Sequence, residues 1–459
     1  IFVVANVKRQ TKTTKESRHF MNIEKDPFEV VDKAFTIKEA IDEAKRCLHC
    51  KVPQCQKGCP IGNDIPQFTR ALSMGNMGEA MSIINAKSNL PAICGRVCPH
   101  EKQCEGHCVL GKKGQPIQIG KLESFIADFD TDMNLLRERI PQKTRGKVAI
   151  LGSGPAGLTV AGDLARQGFS VTIFEGQEEL GGVLMYGIPE YRLPKDIVRA
   201  EIKKIEELGV RFVPNCLVGS NDVTVDSIFA SGYDAIFMGT GTALPQKFSA
   251  PGSELRGVSQ SLYFLHNVNA FREGAMGRNM VPLHEGDRVG VIGGGNVAMD
   301  AARTAIRLGA DVTVIYRRTQ ADMSANQSEY EGAVAEGVKF LWQTNVTEFI
   351  GNERGWLTSA RLHSPEGDTV LPFNRIYLAI GSRPASRIVS STKGIEVDEK
   401  GYVKVSDYPF GMTTRRGVFA GGDVVHHPQT VVLAMKAAKD VAQGIAQYVD
   451  AIKLLEHCK

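Results

Sequence analysis

Eight of the ten cysteines of this chain fall between Cys47 and Cys108, in two tight groups. The first reads Cys47-x2-Cys50-x4-Cys55-x3-Cys59-Pro60, and the second Cys94-x3-Cys98-Pro99-x4-Cys104-x3-Cys108. Thiolates at such short spacings can converge on one polynuclear iron centre, and a Cys-Pro step is typical where the last thiolate turns toward a neighbouring cluster. The pattern predicts two [4Fe-4S] clusters. Structural zinc would favour repeated CxxC pairs or added histidines, and only Cys47 and Cys50 make such a pair. A disulfide framework belongs to small secreted domains rather than to a 459-residue chain with a large core available. The remaining Cys216 and Cys458 stand alone and read as a small buried hydrophobe and a tail thiol.

A second chemistry is carried by glycine. The run Lys147-Val148-Ala149-Ile150-Leu151 has the composition of a buried parallel strand and delivers Gly152-Ser153-Gly154-Pro155-Ala156-Gly157 ahead of a helix. In that context Gly152 makes the tight turn, Gly154 lets the backbone approach a pyrophosphate, and Gly157 permits close helix-strand packing. The helix N-terminus adds amide donors and positive partial charge. The next strand, Ser170 to Phe174, ends at Glu175, 23 positions after Gly152, where a carboxylate can accept both ribose hydroxyls of an unphosphorylated adenosine. This first site suits FAD.

The strand-turn-helix unit recurs about 140 residues on, at Arg288 to Ile292 followed by Gly293-Gly294-Gly295-Asn296-Val297-Ala298. Such a duplication implies two dinucleotide sites. Here the same offset of 23 from Gly293 lands on Tyr316, with Arg317 and Arg318 next. Two guanidinium groups can hold a 2′-phosphate by charge-assisted bonds, so the second site suits NADPH. The alternative for Arg317 and Arg318 is a solvated strand end. Cofactors of this kind carry the chemistry themselves, and no side chain is nominated as catalytic acid, base or nucleophile.

The elements that must position these groups follow from pattern. Residues 1–35 read as an arm with a basic run from Lys8 to Lys15. Thr36-x-x-Glu39 is a capping box that opens a helix running as far as Leu48, and further helices are expected over 65–81 and 122–132. A breaker-rich linker at 141–146 separates this helical part from the glycine turns. The length is a prior for about three domains. Hydrophobic residues at 42% and charged residues at 23% are ordinary for a globular protein, and a net charge of +4 provides no basic stripe for nucleic acid. No stretch reaches the ~18 apolar residues of a membrane span, and the opening Ile-Phe-Val-Val-Ala-Asn-Val is too short for a signal segment. Reduced thiols without an export signal imply the cytoplasm.

Together the cysteine framework, Gly152-x-Gly154-x-x-Gly157, Gly181 to Pro189, Gly293 to Asp300 and Ala420-Gly421-Gly422-Asp423 resemble the small (beta) subunit of bacterial glutamate synthase. The group includes the large subunit of NADH-dependent reduced ferredoxin:NADP oxidoreductase, the sulfide dehydrogenase FAD/Fe-S subunit and the N-terminal half of dihydropyrimidine dehydrogenase. The likeness runs from about Phe35 to Val449. It implies an α/β chain in which a helical double [4Fe-4S] domain at 1–140 precedes two nested Rossmann-like domains: FAD-binding at 146–283 and 384–459, and NADPH-binding at 284–383.

The resemblance also implies ligands. One cluster would use Cys47, Cys50, Cys55 and Cys108, and the other Cys59, Cys98 and Cys104 with Glu123, Cys94 being the alternative fourth ligand. Gly182 and Leu184 would lie beside the flavin. Gly239-Thr240-Gly241 and Gly381 would mark the crossings between the nucleotide domains. Asp423 would accept a ribityl hydroxyl, and the helix from about Thr430 would direct its N-terminus at the flavin N1/O2 edge. One departure stands out: where relatives carry Met-Pro-Ala-Arg, this chain has Met323-Ser324-Ala325-Asn326 before Glu329 and Glu331. His426 and His427 read as an exposed loop.

The function implied is NADPH-linked electron transfer through FAD and the two clusters, to or from a partner subunit. No cysteine lies between Cys216 and Cys458, so the thiol pair of a thioredoxin reductase is missing and electrons must leave through the clusters. The length is used up by clusters and nucleotide domains, with no synthase region, so a second redox subunit is expected in a hetero-oligomer. The wording from Gly182 to Lys195 leans toward the ferredoxin:NADP transhydrogenase branch. The alternatives are the electron-input subunit of NADPH-dependent glutamate synthase, a sulfur-reducing subunit, and a non-catalytic electron-transfer or assembly module.

Overall fold

The computed structural model describes residues 26–457 except 32, 136–137 and 221–222. The basic run from Lys8 to Lys15 and Cys458 lie outside the described residues. Two compact units emerge. One comprises 30–185, 192–247 and 381–457; the other comprises Phe248–Ile380 with 26–29 and Tyr186–Tyr191.

The first unit opens with helices α1 (Ile37–Lys45), α2 (Gln54–Gly58), α3 (Ile65–Ser73), α4 (Met77–Asn85), α5 (Pro91–Val97) and α6 (Ile119–Met133). At the start of α1 the Thr36 hydroxyl accepts from Glu39 N at 3.3 Å, and the Glu39 carboxylate accepts from Thr36 N at 2.7 Å. Both orphan donors are thereby satisfied. The helix expected over 65–81 is two helices: Gly75 takes φ +78°, and Asn76 accepts from Glu79 N at 3.2 Å to start a new one. An αL glycine followed by an Asn cap is a stop-start signal that apolar spacing alone conceals. Phe68, Leu72, Met81, Ile84, Leu122 and Ile126 form a fully buried core for these helices.

The same unit continues with β1 (Lys147–Leu151), α7 (Pro155–Arg166), β2 (Ser170–Phe174), α8 (Lys195–Glu207), β3 (Arg211–Val213) and β4 (Ala235–Met238). It resumes after the inserted unit with β13 (Val405–Asp407), β14 (Phe410–Thr413), β15 (Val418–Ala420) and α12 (Val431–His457). The sheet order is β13-β14-β15-β4-β1-β2-β3, and β15, β4, β1, β2 and β3 run parallel. Register aligns Leu151 with Phe174 and Met238, and Met238 with Ala420. Gly152, Glu175, Gly239 and Gly421 therefore stand in one row at the carboxyl edge, where open α/β sheets bind ligands. The cluster helices are pinned to this fold at Asp163 of α7, which accepts from Asn89 at 2.8 Å and from Lys439 of α12 at 2.9 Å.

Two short strands, Leu244–Pro245 and Ser382–Arg383, pair antiparallel where the chain leaves this unit and returns. Gln246 N donates to Gly381 O at 3.0 Å.

The second unit has a parallel sheet of β5 (Val258–Gln260), β6 (Arg288–Ile292), β7 (Asp311–Ile315), β8 (Lys339–Leu341) and β12 (Arg375–Leu378), in the order β5-β12-β6-β7-β8. Its helices are α9 (Ser261–Arg272), α10 (Asn296–Arg307) and α11 (Gln327–Ala335). An antiparallel sheet is added by β9 (Asn345–Gly351), β10 (Leu357–Ser364) and β11 (Gly367–Pro372). This unit takes in more chain than 284–383, because α9 places Phe264, Leu265 and Val268 in the core with Val289 and Val291. Phe264 stacks on Tyr377 with ring centroids 4.3 Å apart. The 186–191 segment also lodges here: Asn269 donates to Tyr186 O at 2.9 Å and Ile188 O at 3.1 Å, and Arg307 lies 4.1 Å above the Tyr191 ring. Among the described residues no helix is long and apolar enough to cross a membrane.

Candidate cofactor sites

Four thiols of the first set meet at one cavity. Cys47 just past α1, Cys50, Cys55 on α2 and Cys108 line it together with Pro53 and Ile65. Burial pushes the Cys55 thiol up to about 11, opposed by a hydrogen bond from the Gln56 backbone, and the charges of Cys108, Cys47 and Cys50 raise it further. Burial raises Cys47 as well.

The second set is separate. Burial pushes Cys59 up to about 11, with Glu123 and Cys94 among the groups that face it. Cys98 is raised by its hydrogen bond with the Cys94 side chain, then by burial and by Glu123 and Cys104. Burial raises Cys104, and Glu105, Glu123 and Cys59 add to it. Glu123 itself is 7% exposed, and burial followed by the neighbouring Glu201 pushes it up to about 8. Asn63 donates to its Oε1 at 3.2 Å. Cys47, Cys50, Cys55 and Cys108 thus line one cavity, and Cys59, Cys98 and Cys104 each have Glu123 nearby.

This donor chemistry fits iron-sulfur clusters. Among the described residues no group of three or more His, Cys, Asp or Glu is arranged to hold a single ion. Four thiols spread around an apolar cavity instead suit a polynuclear centre, whose charge would keep buried thiols ionised.

At the first glycine turn, steric roles separate. A Cβ on Gly152, which has φ +100°, would lie 2.8 Å from Gly239 O, and one on Gly157 would lie 2.0 Å from Gly152 O. A Cβ on Gly154 would meet nothing within 4 Å. Gly182, with φ +56°, abuts the Gly154 Cα. Glu175 accepts from Ser153 N at 2.9 Å, Ser153 Oγ at 2.6 Å and Gln177 N at 2.9 Å. Gly422 packs on Ala156, which brings Asp423, at the head of a one-turn helix, to the same edge. Burial pushes the half-buried Asp423 up to about 6. Thr430 Oγ1 accepts from Leu433 N at 3.4 Å, just ahead of α12. Gly152, Gly154, Gly157, Glu175, Gly182, Gly422 and Asp423 are thus gathered, while Gly241 and Gly381 flank the two-strand connection.

Two buried charges here escaped the sequence reading. Lys195, 1% exposed, donates to Leu184 O at 3.0 Å and Leu193 O at 3.2 Å. Glu201, also 1% exposed, has both carboxylate oxygens buried without a hydrogen-bond partner, and Lys204 Nζ lies 3.6 Å from Oε1. Burial pushes Glu201 up to about 7 against the pull of Lys204. Both sit in an otherwise ordinary amphipathic helix, and nothing in their spacing marks them.

At the second turn, Gly293 has φ +143° and a Cβ there would lie 2.4 Å from Ala379 O. Gly294 is covered by the Tyr316 ring at 2.5 Å from such a Cβ, whereas Gly295 would meet only Ser324 Oγ, at 3.4 Å. Asn296 opens α10, and its Oδ1 accepts from Asn326 N at 2.8 Å. Arg317 and Arg318 are exposed just beyond β7. After the Met323 to Asn326 stretch, Glu329 pairs with buried Arg303 of α10 at 2.6 Å. His426 and His427 are exposed, and His427 packs on Tyr402 with ring centroids 4.0 Å apart.

Comparison with known proteins places this arrangement. Residues 24–135 match the family described as dihydropyrimidine dehydrogenase domain II, 4Fe-4S cluster, and residues 146–438 match pyridine nucleotide-disulphide oxidoreductase. The chain is 36% identical over 438 residues to the glutamate synthase [NADPH] small chain of Halomonas elongata, covering 90% of this chain and 91% of that one. It is also 36% identical to the NADP(+)-dependent formate dehydrogenase subunit beta of Moorella thermoacetica, over 86% of this chain and 60% of that one. Mycobacterium tuberculosis FprA in complex with NADPH shares the fold, with a TM-score of 0.56 at 19% identity, over 68% of this chain and 87% of that one. The fold and the paired glycine turns define a pyridine nucleotide-disulphide oxidoreductase, and the chain belongs within that class to the glutamate synthase small-subunit family. It is accordingly an NADPH oxidoreductase whose cofactors are FAD, NADP(H) and [4Fe-4S].

The geometry sets the stability of three variants. Gly157→Ala should destabilise the protein by about 2–3 kcal/mol or more, because a backbone oxygen blocks the added methyl. Gly154→Ala, in an extended conformation with open space, should change stability by no more than about 0.5 kcal/mol in denaturant titration of flavin-free protein. For Asp423 the folded pKa lies above the unfolded value of 3.8, so its cost is absent below about pH 4, grows between about 4 and 6, and is complete above. Asp423→Asn should therefore stabilise flavin-free protein at pH 7–8 by roughly 1–2 kcal/mol after allowance for solvent screening, with no gain at pH 4.

Proposed function

We propose that this chain is the NADP(H)-linked electron-transfer subunit of a larger complex, exchanging electrons between NADP(H), FAD, two [4Fe-4S] clusters and a partner subunit. The observation that carries this reading is that both thiol sets belong to the same compact unit as the flavin fold. The bound flavin supplies exchange between a two-electron hydride donor and one-electron iron-sulfur centres. The chain's own residues bind and orient. Gly154 leaves room for the pyrophosphate, Glu175 and Asp423 hold ribose and ribityl hydroxyls, and the α12 terminus after Thr430 favours negative charge on the flavin edge. Arg317 and Arg318 hold the 2′-phosphate. Cys47, Cys50, Cys55 and Cys108 ligate one cluster, and Cys59, Cys98, Cys104 and Glu123 the other.

Two partners remain distinct outcomes. The glutamate synthase large subunit is favoured by relatives named as its small chain at 31–36% identity over most of the chain. A ferredoxin-linked flavoprotein, giving NADPH-ferredoxin transhydrogenation, is favoured by the Gly182 to Lys195 wording. Either complex would work in the cytoplasm. Affinity purification from the native host decides between them by the identity of the co-purifying subunit, and recovery of neither would count against the subunit reading.

Gly154→Ala should fold but lose bound FAD, measured by absorbance after gel filtration. Replacing Arg317 and Arg318 together should raise KM for NADPH about tenfold or more while leaving NADH little changed, since each lost charge-assisted bond is worth roughly 1.5–3 kcal/mol. A double mutant that keeps its NADPH preference would make the two arginines a solvated strand end.

The face around Cys47 to Cys59 presents exposed Lys51 and Lys57 beside exposed Leu48 and Val52, and is the proposed docking surface. Lys51→Glu with Lys57→Glu should cut coupled turnover severalfold and spare NADPH-driven dye reduction, with a weaker salt dependence of association.

A further inference from the structure

Beside the second glycine turn stands a loop whose contacts the two arginines do not explain. It runs from Arg317 to Asn326 and ends in Met323-Ser324-Ala325-Asn326, the stretch in which this chain departs from its relatives. That end is held on the turn: Tyr316 Oη donates to Asp322 O at 2.9 Å, Ala325 N to Gly294 O at 3.1 Å, and Asn326 N to Asn296 Oδ1 at 2.8 Å. The middle is tied by the Thr319 hydroxyl, which donates to the Asp322 carboxylate at 2.7 Å. Ala325 and Asn326 are buried, whereas Ser324 just before them is exposed.

The turn leaves a pyrophosphate one place to approach. Gly293 is closed off by Ala379 O, and Gly294 by the Tyr316 ring. Beside Gly295 the space is open but for one group, because a Cβ there would meet only Ser324 Oγ, at 3.4 Å. That hydroxyl donates to Gly294 O at 3.5 Å, the long limit of a hydrogen bond, so it can rotate toward a stronger acceptor at little cost. Gly295 is also the N-cap of α10, with no side chain capping the helix, so backbone donors and positive partial charge face the same space.

We propose that Ser324 is a binding residue for the nucleotide pyrophosphate, its hydroxyl donating to a phosphate oxygen brought in beside Gly295. One loop then serves two ends of one ligand. Arg317 and Arg318 at its start hold the 2′-phosphate, and Ser324 near its end holds the pyrophosphate. The two contacts differ in what they distinguish. NADPH and NADH share the pyrophosphate, so Ser324 contributes affinity for both, and the choice between them is left to the arginines. The argument rests on the reading of the second turn as the NADPH site.

The test is calorimetric binding to full-length protein carrying its flavin and clusters, with two probes: NADP+, and adenosine 2′-monophosphate, which has the 2′-phosphate but no pyrophosphate. Ser324→Ala should raise Kd for NADP+ about tenfold, the worth of one hydrogen bond to a charged group, and leave Kd for adenosine 2′-monophosphate unchanged. Ser324→Thr, which keeps the hydroxyl, should retain most of the NADP+ affinity. Replacing Arg317 and Arg318 together should weaken both probes. An unchanged NADP+ affinity in Ser324→Ala would overturn the proposal, as would an equal loss for both probes or a threonine variant no better than the alanine one. Wild-type protein that binds neither probe would instead overturn the reading of the second turn on which this rests.

Discussion

Taking thiols and carboxyls out of water is the condition on which the N-terminal part of the chain depends. Burial lifts Cys55 and Cys59 to about 11 and holds Cys104 well above the ordinary thiol value, and Cys98 is raised by the Cys94 side chain and then by burial. At neutral pH such groups stay protonated unless a cation compensates them, and an iron centre that ionises them also releases their protons. The helices around them do not need that compensation, because Phe68, Leu72, Met81, Ile84, Leu122 and Ile126 supply a closed apolar core.

The two glycine turns show one constraint met with different surroundings. In both, the first glycine is required because the neighbouring strand's end brings a carbonyl against it: Gly239 O for Gly152 and Ala379 O for Gly293. The turns then diverge in electrostatics. Glu175 is folded into the first turn by Ser153 and faces inward, whereas Arg317 and Arg318 stand outside the second in solvent. A buried carboxylate that already accepts from backbone suits neutral hydroxyl donors. An exposed pair of cations suits a mobile, doubly charged phosphate that must come and go.

Where the causes are local, the chain was legible. The Thr36 to Glu39 capping box, the strands before Gly152 and Gly293, and the grouping of thiols all follow from spacing within one or two turns. The break at Gly75 and Asn76 was local too, but hidden by continuous apolar spacing on either side. The extension of the nucleotide unit back to Phe248 was not legible, because it depends on α9 meeting a strand that is distant in sequence. Tertiary contacts also decide Tyr316 over Gly294, Asn296 bonded to Asn326, and buried Glu201 facing Glu123. None of these leaves a pattern in either partner alone.

Electron tunnelling between fixed centres weakens steeply with distance, so a flavin site and its clusters must be held in one rigid body. Asp163 does this at the centre, taking hydrogen bonds from Asn89 of the cluster region and Lys439 of α12, while Lys204 of α8 reaches Asp130 of α6 at 3.1 Å. The sulfur contact between Cys94 and Met435 lies across the same junction.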